Sequence, residues 1–185
     1  MSNPIQEERE KQVIKNLPEL FTTKYQSVLY IGANQKRQHF VDLFEKSAYN
    51  KIVILEAFKN NFEFLKIKFS DRVPTPFKII HGDVRNVDKI FKDTFDVVFF
   101  WHGIEHLNQT EIEPTLKKLE KISKVIVLGL PNGKYEQGPE YGNPFEEHLS
   151  TIYFSFLENL GYKTDVLGEP DKEGSNITAW KFLNN

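Results

Sequence analysis

The hydrophobic positions of the chain alternate between short apolar runs and helical stripes along most of its length. Residues 5–20 show an amphipathic helical pattern that is interrupted near Pro18, which predicts an N-terminal helix. Residues 27–37 begin with a β-rich run that ends in a glycine, and a helical stretch follows. Four further strands are predicted by the segments KIVILE (51–56), FKIIHGD (77–83), FDVVFFW (95–101) and VIVL (125–128). This alternation predicts a parallel sheet with helices on both faces.

The C-terminal part of the chain breaks this alternation. Apolar residues recur at helical spacing over residues 149–160 and stop at Gly161, which predicts one more helix. Two strand-like runs, 162–167 and 176–183, flank a turn-rich segment and are close enough to pair as a hairpin. We therefore expect a three-layer α/β fold with a mostly parallel seven-stranded sheet, a C-terminal antiparallel hairpin and an N-terminal helix. We expect one domain over residues 1–185, with residues 1–22 as a helical cap.

The composition excludes several classes of protein. No apolar run reaches the roughly eighteen residues that a membrane span needs, and the first residues are polar rather than signal-like, so we expect a cytoplasmic protein. The chain has no Cys, which excludes disulfides, zinc–thiolate sites and thiol nucleophiles. A net charge of -2 offers no broad basic surface, so a nucleic-acid partner is not indicated. The pattern does not indicate an oligomeric state.

The ends of the first two predicted strands carry residues that suit a nucleoside-like ligand. Gly32 lets the backbone approach a ligand without a Cβ atom, and Asn34 tolerates left-handed backbone angles. Glu56 ends the second strand, where a carboxylate can accept hydrogen bonds from both hydroxyls of a ribose. Plain structural alternatives stay open: an ordinary strand-to-helix turn at Gly32, and interaction of Glu56 with the dipole of the next helix.

The third and fourth strands end in HGDV (81–84) and WHGIEHL (101–107). Asp83 can accept a hydrogen bond from a ligand amino group or can cap the following helix. Residues 102–106 also spell H-x-x-E-H, a zinc-protease signature that requires one continuous helix. Because the motif follows a buried strand and contains Gly103, we expect neither a protease nor a metal site.

A long polar segment follows the fifth strand, from Pro131 to His148. Loops of this length within a compact domain are usually functional or mobile, and this one follows a strand whose carboxyl end meets the other strand ends. The expected substrate contacts in it are Asn132, Tyr135, Tyr141 and Asn143. A solvated loop with a helix-capping His148 is the alternative.

The element order and these motifs resemble the class I (Rossmann-like) S-adenosylmethionine-dependent methyltransferases from about residue 25 to the C-terminus. The resemblance implies that S-adenosyl-L-methionine binds across the carboxyl ends of the first four strands. It also implies methyl transfer to an O, N or C atom of a small-molecule or other acceptor. The chain departs from the family in the first turn, where Tyr30 stands in place of an acid that commonly holds the methionine end, and Asn34 in place of a second glycine.

The resemblance also implies roles for individual residues. The implied cofactor contacts are Tyr30, Gly32, Asn34, Glu56, Asp83, Val84, Trp101 and His102. Glu56 would bind the ribose and Asp83 the adenine amino group, while His106 is the expected base, with His148 as second choice. We expect the two imidazoles at opposite margins of one acceptor cleft.

Two other functions stay open at this point. A non-catalytic module that binds S-adenosylmethionine or another nucleoside is indicated by the altered first motif, in which Tyr30 and Asn34 depart from the family. A nicotinamide-dependent oxidoreductase is disfavoured because the full G-x-G-x-x-G pattern is absent.

Overall fold

The computed structural model describes residues 4–34, 39–47, 49–72, 77–140 and 142–183. Its strands are β1 (Ser27–Ile31), β2 (Lys51–Glu56), β3 (Phe77–His81), β4 (Phe95–Trp101), β5 (Ser123–Pro131), β6 (Lys163–Leu167) and β7 (Asn176–Phe182). Its helices are α1 (Pro4–Asn16), α2 (His39–Lys46), α3 (Lys59–Lys68), α4 (Val87–Ile90), α5 (Gln109–Lys121) and α6 (Phe154–Asn159). Short 3₁₀ turns span Pro18–Phe21, Ser70–Arg72, Val84–Asn86, Ile104–His106 and Pro144–Glu146.

The strands form one seven-stranded sheet in the order β3-β2-β1-β4-β5-β7-β6. Strands β1 to β5 are mutually parallel, whereas β7 runs antiparallel to both β5 and β6. The sequence-based prediction of a mostly parallel sheet closed by an antiparallel hairpin is confirmed. The order reverses between β1 and β4, and ligands of open α/β sheets bind at the carboxyl ends of the strands beside such a reversal.

Alternate residues of each central strand point to opposite faces of the sheet, and both faces are covered. Tyr30, Phe99 and Trp101 pack on the side that carries α1, α2 and α3. Leu29 and Phe100 pack on the side that carries α4, α5 and α6. Burial on both faces explains why the strands are apolar throughout rather than alternating, and it confirms the predicted three layers.

The face under α2 is built from aromatic rings. Phe40 lies 4.7 Å from the ring of Trp101 and 6.2 Å from that of Tyr30, measured between centroids. Phe44 lies 4.9 Å from Phe99. Aromatic pairs at such distances favour edge-to-face contacts worth about 0.5–1.5 kcal/mol beyond their buried area. The cluster packs α2 against β1 and β4.

The N-terminal helix packs on the same face as α2, next to β7. Its inner side buries Val13 and Leu17, and the Oε1 atom of Gln12 accepts a 2.9 Å hydrogen bond from the hydroxyl of Thr178 in β7. Arg9 is buried too, with its guanidinium carbon 4.4 Å from the ring centroid of Trp101. The described residues thus contain the predicted N-terminal helix, and none of their helices has the length and apolarity needed to cross a membrane.

The predicted helix over residues 149–160 is wrong in its first part, because α6 begins only at Phe154. The preceding residues are held in an extended conformation by partners that are distant in sequence. The N–H of Leu149 donates to the carbonyl of Glu105 at 3.0 Å, and Ile152 forms a β-bridge with Gly133. These bonds compete with the helical pattern of the side chains and draw the end of the polar loop towards β4.

Candidate functional site

A cavity of about 320 Å³ lies at the carboxyl ends of β1 to β4. Its volume falls at the lower end of the range of small-molecule sites, about 300–1,000 Å³. It is lined by Ile31, Gly32, Leu55, Glu56, Ala57, Gly82, Asp83, Val84, Arg85, Phe100, His102, Gly103, His106, Leu107, Asn143, Pro144, Phe145, Glu146 and Leu149. The turns after four neighbouring strands and the loop after β5 therefore enclose one space.

Gly32 forms the wall of the cavity where β1 passes beside β4. Its φ of 94° lies in the left-handed region that favours glycine. A Cβ atom there would lie 2.0 Å from the carbonyl oxygen of Trp101. The glycine is therefore required by two features of the fold, its backbone angle and the close approach of the two strand ends.

Three residues with predicted cofactor roles are not among those that line the cavity. The side chains of Tyr30 and Trp101 are fully buried on the opposite face of the sheet, in the aromatic cluster under α2. Asn34 lies beside the cavity and reaches it through a neighbour, because its Nδ2 donates a 2.8 Å hydrogen bond to Oε1 of Glu146. The cofactor roles of these three residues stay predictions.

Glu56 lines the cavity at the end of β2 and is buried, with 7% of its surface exposed. One carboxylate oxygen accepts a 2.7 Å hydrogen bond from the N–H of Phe58, and the side chain of Asn61 also bonds to it. Burial raises the pKa of Glu56 to about 7, and the nearby charge of Glu146 adds to the increase. The carboxylate supports the start of α3 and lines the cavity at the same time, and its contact with a ribose stays a prediction.

Asp83 lines the cavity at the end of β3, where its carboxylate is engaged by Arg85. It accepts from the backbone N–H of Arg85 at 2.8 Å and from Nη2 of the same residue at 2.6 Å. The guanidinium also donates to Glu111 of α5 at 2.9 Å. Asp83 therefore caps the 3₁₀ turn Val84–Asn86, the structural alternative stated above, while Val84 and Arg85 line the cavity beside it. Its adenine contact stays a prediction.

His102 connects the cavity to a fully buried carboxylate. Its φ of 49° is left-handed, which is uncommon outside glycine and often marks functional sites. Nδ1 lies 3.1 Å from Oε1 of Glu105, and Nε2 contacts the guanidinium of Arg9. Because a guanidinium can only donate, Nε2 carries the lone pair and Nδ1 donates its proton to Glu105. Burial alone would raise the pKa of Glu105, but this hydrogen bond and the neighbouring imidazoles hold it well below its usual range.

His106 and His148 lie side by side, with ring centroids 4.9 Å apart, and not at opposite margins of a cleft as expected. His106 lines the cavity. Its Nδ1 atom is 3.0 Å from the carbonyl of Glu147, and Nδ1 of His148 is 2.7 Å from the carbonyl of Tyr135. A carbonyl oxygen only accepts, so each neutral ring carries its proton on Nδ1 and a lone pair on Nε2. Both rings are thus prepared to accept a proton or to bind a metal.

Glu105 joins these two histidines in a group that can hold a metal ion. One ligand atom from each of Glu105, His106 and His148 lies within 4.8 Å of the other two. Among the described residues, Oε2 of Glu105 and Nε2 of His106 have no hydrogen-bond partner, although both are buried. Two imidazoles and a carboxylate are ligands that suit a divalent transition metal. The H-x-x-E-H pattern contains Glu105 and His106, but no metal site was predicted from it, and His148 joins these two residues through the loop.

The polar loop contributes to the cavity through its second half. Asn143 lines the cavity, and its Oδ1 accepts a 3.0 Å hydrogen bond from the N–H of Phe145, which starts the turn Pro144–Glu146. Phe145 and Glu146 also line the cavity, and neither was singled out from the sequence. Acidic and aromatic residues in a polar loop carry no signal that separates a wall of a site from a solvated surface.

Two further predicted substrate contacts, Tyr135 and Asn132, are not among the residues that line the cavity. Tyr135 is exposed over 44% of its surface and packs near His148, at 5.5 Å between ring centroids. Asn132 is buried, and its carbonyl accepts from the N–H of Asp171 at 3.0 Å. Tyr141 lies outside the described residues. The substrate roles of these three residues stay predictions.

No protein-family model and no curated protein matches the chain. Solved structures do. The methyltransferase domain of bacterial CtHen1 has a TM-score of 0.68 and 20% identity, over 97% of this chain and 100% of that chain. This chain has the class I methyltransferase fold. The N-terminal domain of EvdMO1 with SAH bound has a TM-score of 0.68 and 19% identity, over 100% and 82% of the two chains. The small RNA methyltransferase HEN1 has a TM-score of 0.65 and 14% identity, over 100% and 26%.

The methyltransferase fold accounts for the position of the cavity. The first four strand ends of this fold, together with the segment after the fifth, enclose the space that Gly32, Glu56 and His106 line here. At 14–20% identity the likeness concerns the fold, so the chemistry of the site rests on this chain's own residues.

Proposed function

We propose that the protein binds S-adenosylmethionine in this cavity and catalyses transfer of its methyl group to an acceptor. The observation that carries the proposal is the position of the cavity beside the reversal of strand order, with Gly32, Glu56 and Asp83 at successive strand ends. The N-terminal domain of EvdMO1, which has the same fold, was crystallised with SAH, the product of methyl donation. When bound, the cofactor would supply a methyl group activated by a sulfonium.

The residues of the cavity fit a nucleoside of this kind. Glu56 is buried and lines the cavity, so water solvates its carboxylate poorly. Ribose hydroxyls bound there would donate hydrogen bonds to it. Leu55 and Val84 provide apolar contact for a base, and Arg85 lies at the same margin, held in place by Asp83. Gly32 lines the cavity at the end of β1, where a ligand can approach its backbone.

The acceptor end of the cavity is the side on which His106 lies. An imidazole with a lone pair on Nε2 can remove the proton of a hydroxyl or amine when that atom attacks the methyl group. We propose His106 for this role, since it lines the cavity, and His148, which is its immediate neighbour, as the second group. Most of the acceleration would come from holding the two reactants in line.

The same cluster favours a second way of activating the acceptor. Oε2 of Glu105 and Nε2 of His106 are buried acceptors without a hydrogen-bond donor among the described residues, and His148 lies beside them. Such a set is stabilised by a cation. We propose that Glu105, His106 and His148 hold a divalent transition metal, which would lower the pKa of an acceptor hydroxyl bound to it. Carbonyl acceptors on Nδ1 of both rings already orient them for this role.

We propose a small molecule that carries a hydroxyl group as the acceptor. The cavity of about 320 Å³ is shared with the methyl donor, which leaves room for a small group only. One protein of the same fold is a small RNA methyltransferase, but a net charge of -2 gives this chain no broad basic surface. The competing acceptor is an RNA end that inserts one hydroxyl group into the cavity. The transfer test below distinguishes the two acceptors.

The test is transfer of a labelled methyl group from S-adenosylmethionine to a set of small alcohols, amines and short RNAs, with added Mn²⁺ or Zn²⁺ and with a chelator. We expect label in a small alcohol, stimulation by one of the metals, and loss of activity in Glu105→Gln. Label in RNA alone would overturn the small-molecule proposal. Binding of SAH with no transfer to any acceptor would favour the non-catalytic module that Tyr30 and Asn34 indicated. Transfer that is unaffected by the chelator would assign the histidines to proton removal.

Two further expectations from the sequence accompany this proposal. We propose that the protein acts in the cytoplasm, which rests on its composition. We also propose that residues 1–185 form one domain, because one sheet runs from Ser27 to Phe182 and α1 packs on β7 of the same sheet.

A further inference from the structure

Three of the described residues that line the cavity are acidic, and they differ in their hydrogen-bond partners. They are Glu56, Asp83 and Glu146. Both carboxylate oxygens of Asp83 are engaged by Arg85, at 2.8 Å from its backbone N–H and 2.6 Å from Nη2. Glu56 is held at the end of β2 by the N–H of Phe58 and the amide of Asn61. Two of the three acids are therefore committed to the ends of β2 and β3.

Glu146 reaches the cavity from the other side. It is the last residue of the turn Pro144–Glu146, which Asn143 starts and which follows the long loop after β5. Its Oε1 accepts a 2.8 Å hydrogen bond from Nδ2 of Asn34, in the turn that leaves β1. Its backbone carbonyl accepts a 2.7 Å hydrogen bond from Nε2 of Gln137. A side chain more than a hundred residues away in sequence is thus fixed beside Gly32, at the β1 end of the cavity.

The negative charge of Glu146 acts on Glu56 across the cavity. Glu146 contributes to the raised pKa of Glu56, so the two carboxylates face the same space and repel one another. Two partly buried carboxylates that share a cavity are stabilised by a cationic group placed between them. Tyr30 cannot supply a carboxylate at this end of the cavity, because its side chain is a phenol buried on the other face of the sheet.

We propose that Glu146 binds the ammonium group of the amino-acid end of the methyl donor, at the margin of the cavity formed by Gly32 and Asn34. This inference rests on the proposed function and assigns a residue that its sequence position did not indicate. An ammonium group presents three donors and no acceptor, so a carboxylate held by Asn34 is a suitable partner. Asn34 is then a positioning residue, which holds the carboxylate at the first turn.

The test compares two ligands that share the adenosine part. SAH carries the amino-acid end, whereas 5′-methylthioadenosine lacks both its ammonium and its carboxylate. We expect Glu146→Gln to weaken SAH binding about 10- to 100-fold, as loss of a charge-assisted hydrogen bond does, and to leave 5′-methylthioadenosine binding within about 2-fold of wild type. Glu147→Gln is the matched control, because it makes the same charge change on an exposed side chain of the same loop. We expect it to bind both ligands like wild type.

The outcomes separate this inference from the proposed function. Unchanged SAH binding in Glu146→Gln, with wild type binding normally, would overturn the inference and leave the function standing. Equal weakening of both ligands would overturn it too, because Glu146 would then shape the cavity instead of binding the ammonium. A Glu147→Gln variant as defective as Glu146→Gln would show a general charge effect and overturn the specific contact. Failure of wild type to bind SAH would overturn the proposed function together with the inference.

Discussion

The two ends of the cavity are built in different ways. At the end that we propose to bind the nucleoside, Glu56 is the last residue of β2 and Asp83 lies two residues after β3. Each carboxylate accepts a hydrogen bond from the N–H two residues later. At the loop end, defined by Glu146 and His106, the arrangement depends on side chains that follow the long loop after β5. Glu146 is bonded to Asn34 in the turn after β1, and His148 packs against His106 after β4. Local sequence thus positions one end, and long-range contacts position the other.

The largest effect is expected at the loop end. Replacing His106 by Ala should lower turnover by about 10²- to 10⁴-fold, because it removes the base or a metal ligand, while SAH affinity stays close to wild type. Steady-state kinetics with the acceptor found in the transfer test, together with calorimetric SAH binding, would measure both. His81→Ala is the control, since this imidazole is exposed at the end of β3 and does not line the cavity. Undiminished turnover in His106→Ala would remove the cluster from the mechanism.

A large effect on stability is expected where the two central strands meet. Gly32→Ala places a Cβ atom 2.0 Å from the carbonyl of Trp101 and at a φ of 94°, so we expect a loss of about 3 kcal/mol or more in the free energy of unfolding. Gly138→Ala is the control, because a Cβ there meets nothing within 4 Å. Chemical denaturation measures both. Equal stability of the two variants would mean that β1 and β4 are not held as closely as described.

Most of the fold could be predicted from the sequence because the central strands are buried on both faces. Apolar runs such as 51–56 and 95–101 match β2 and β4 at both ends. The residues that end these strands were predictable too, since the carboxyl ends of parallel strands share one edge. Gly32, Glu56 and Asp83 all line the cavity as a result. The hairpin was predictable as a pair, but the insertion of β7 between β5 and β6 depends on edge contacts that no local pattern encodes.

The remainder of the site depends on contacts between distant parts of the chain. Trp101 ends β4, yet its side chain faces α2, and the neighbouring Phe100 lines the cavity instead. Successive side chains of a strand point to opposite faces of the sheet, so the end of β4 was predictable but not which of its side chains points to the cavity. Leu149 follows a helical pattern but is extended because its N–H bonds to Glu105. Glu146 has no signal in its own sequence, since contacts with residues distant in the chain, such as the bond from Asn34, hold it at the site.

Glu56 should make the free energy of unfolding depend on pH. The pKa of Glu56 is raised from 4.5 to about 7 in the folded protein. Between these pH values the carboxyl group of Glu56 is ionised in the unfolded chain but protonated in the folded protein, so the free energy of unfolding falls as pH rises. The stability that protonated Glu56 allows is fully present only below about pH 4.5. We expect a loss of about 1–3 kcal/mol between pH 5 and 8. In Glu56→Gln this part of the loss should be absent, because Gln does not titrate. Urea denaturation of both proteins at the two pH values measures the difference. An identical pH profile would show that Glu56 is not buried as described.

The same residue should contribute to ligand affinity. Glu56→Ala should weaken SAH binding by about 1–3 kcal/mol, because ribose hydroxyls would face a wall that no longer accepts from them. Unlike Glu146→Gln, it should weaken 5′-methylthioadenosine to a similar degree, since both ligands contain the ribose. Calorimetry gives the affinity of each variant for the two ligands, and so shows which variant weakens both and which weakens SAH alone. An intact affinity with a lower melting temperature would assign Glu56 to the start of α3 alone.

The central claim is that this cavity binds a sulfur nucleoside, and the most direct measurement is a calorimetric titration of the wild-type protein with SAH and, separately, with NAD. We predict saturable one-to-one binding of SAH and no measurable binding of NAD at the same concentrations, because the sequence lacks the full glycine pattern of dinucleotide sites, whereas Gly32, Glu56 and Asp83 line the cavity at successive strand ends. Tighter binding of NAD than of SAH, or the absence of SAH binding, would contradict it.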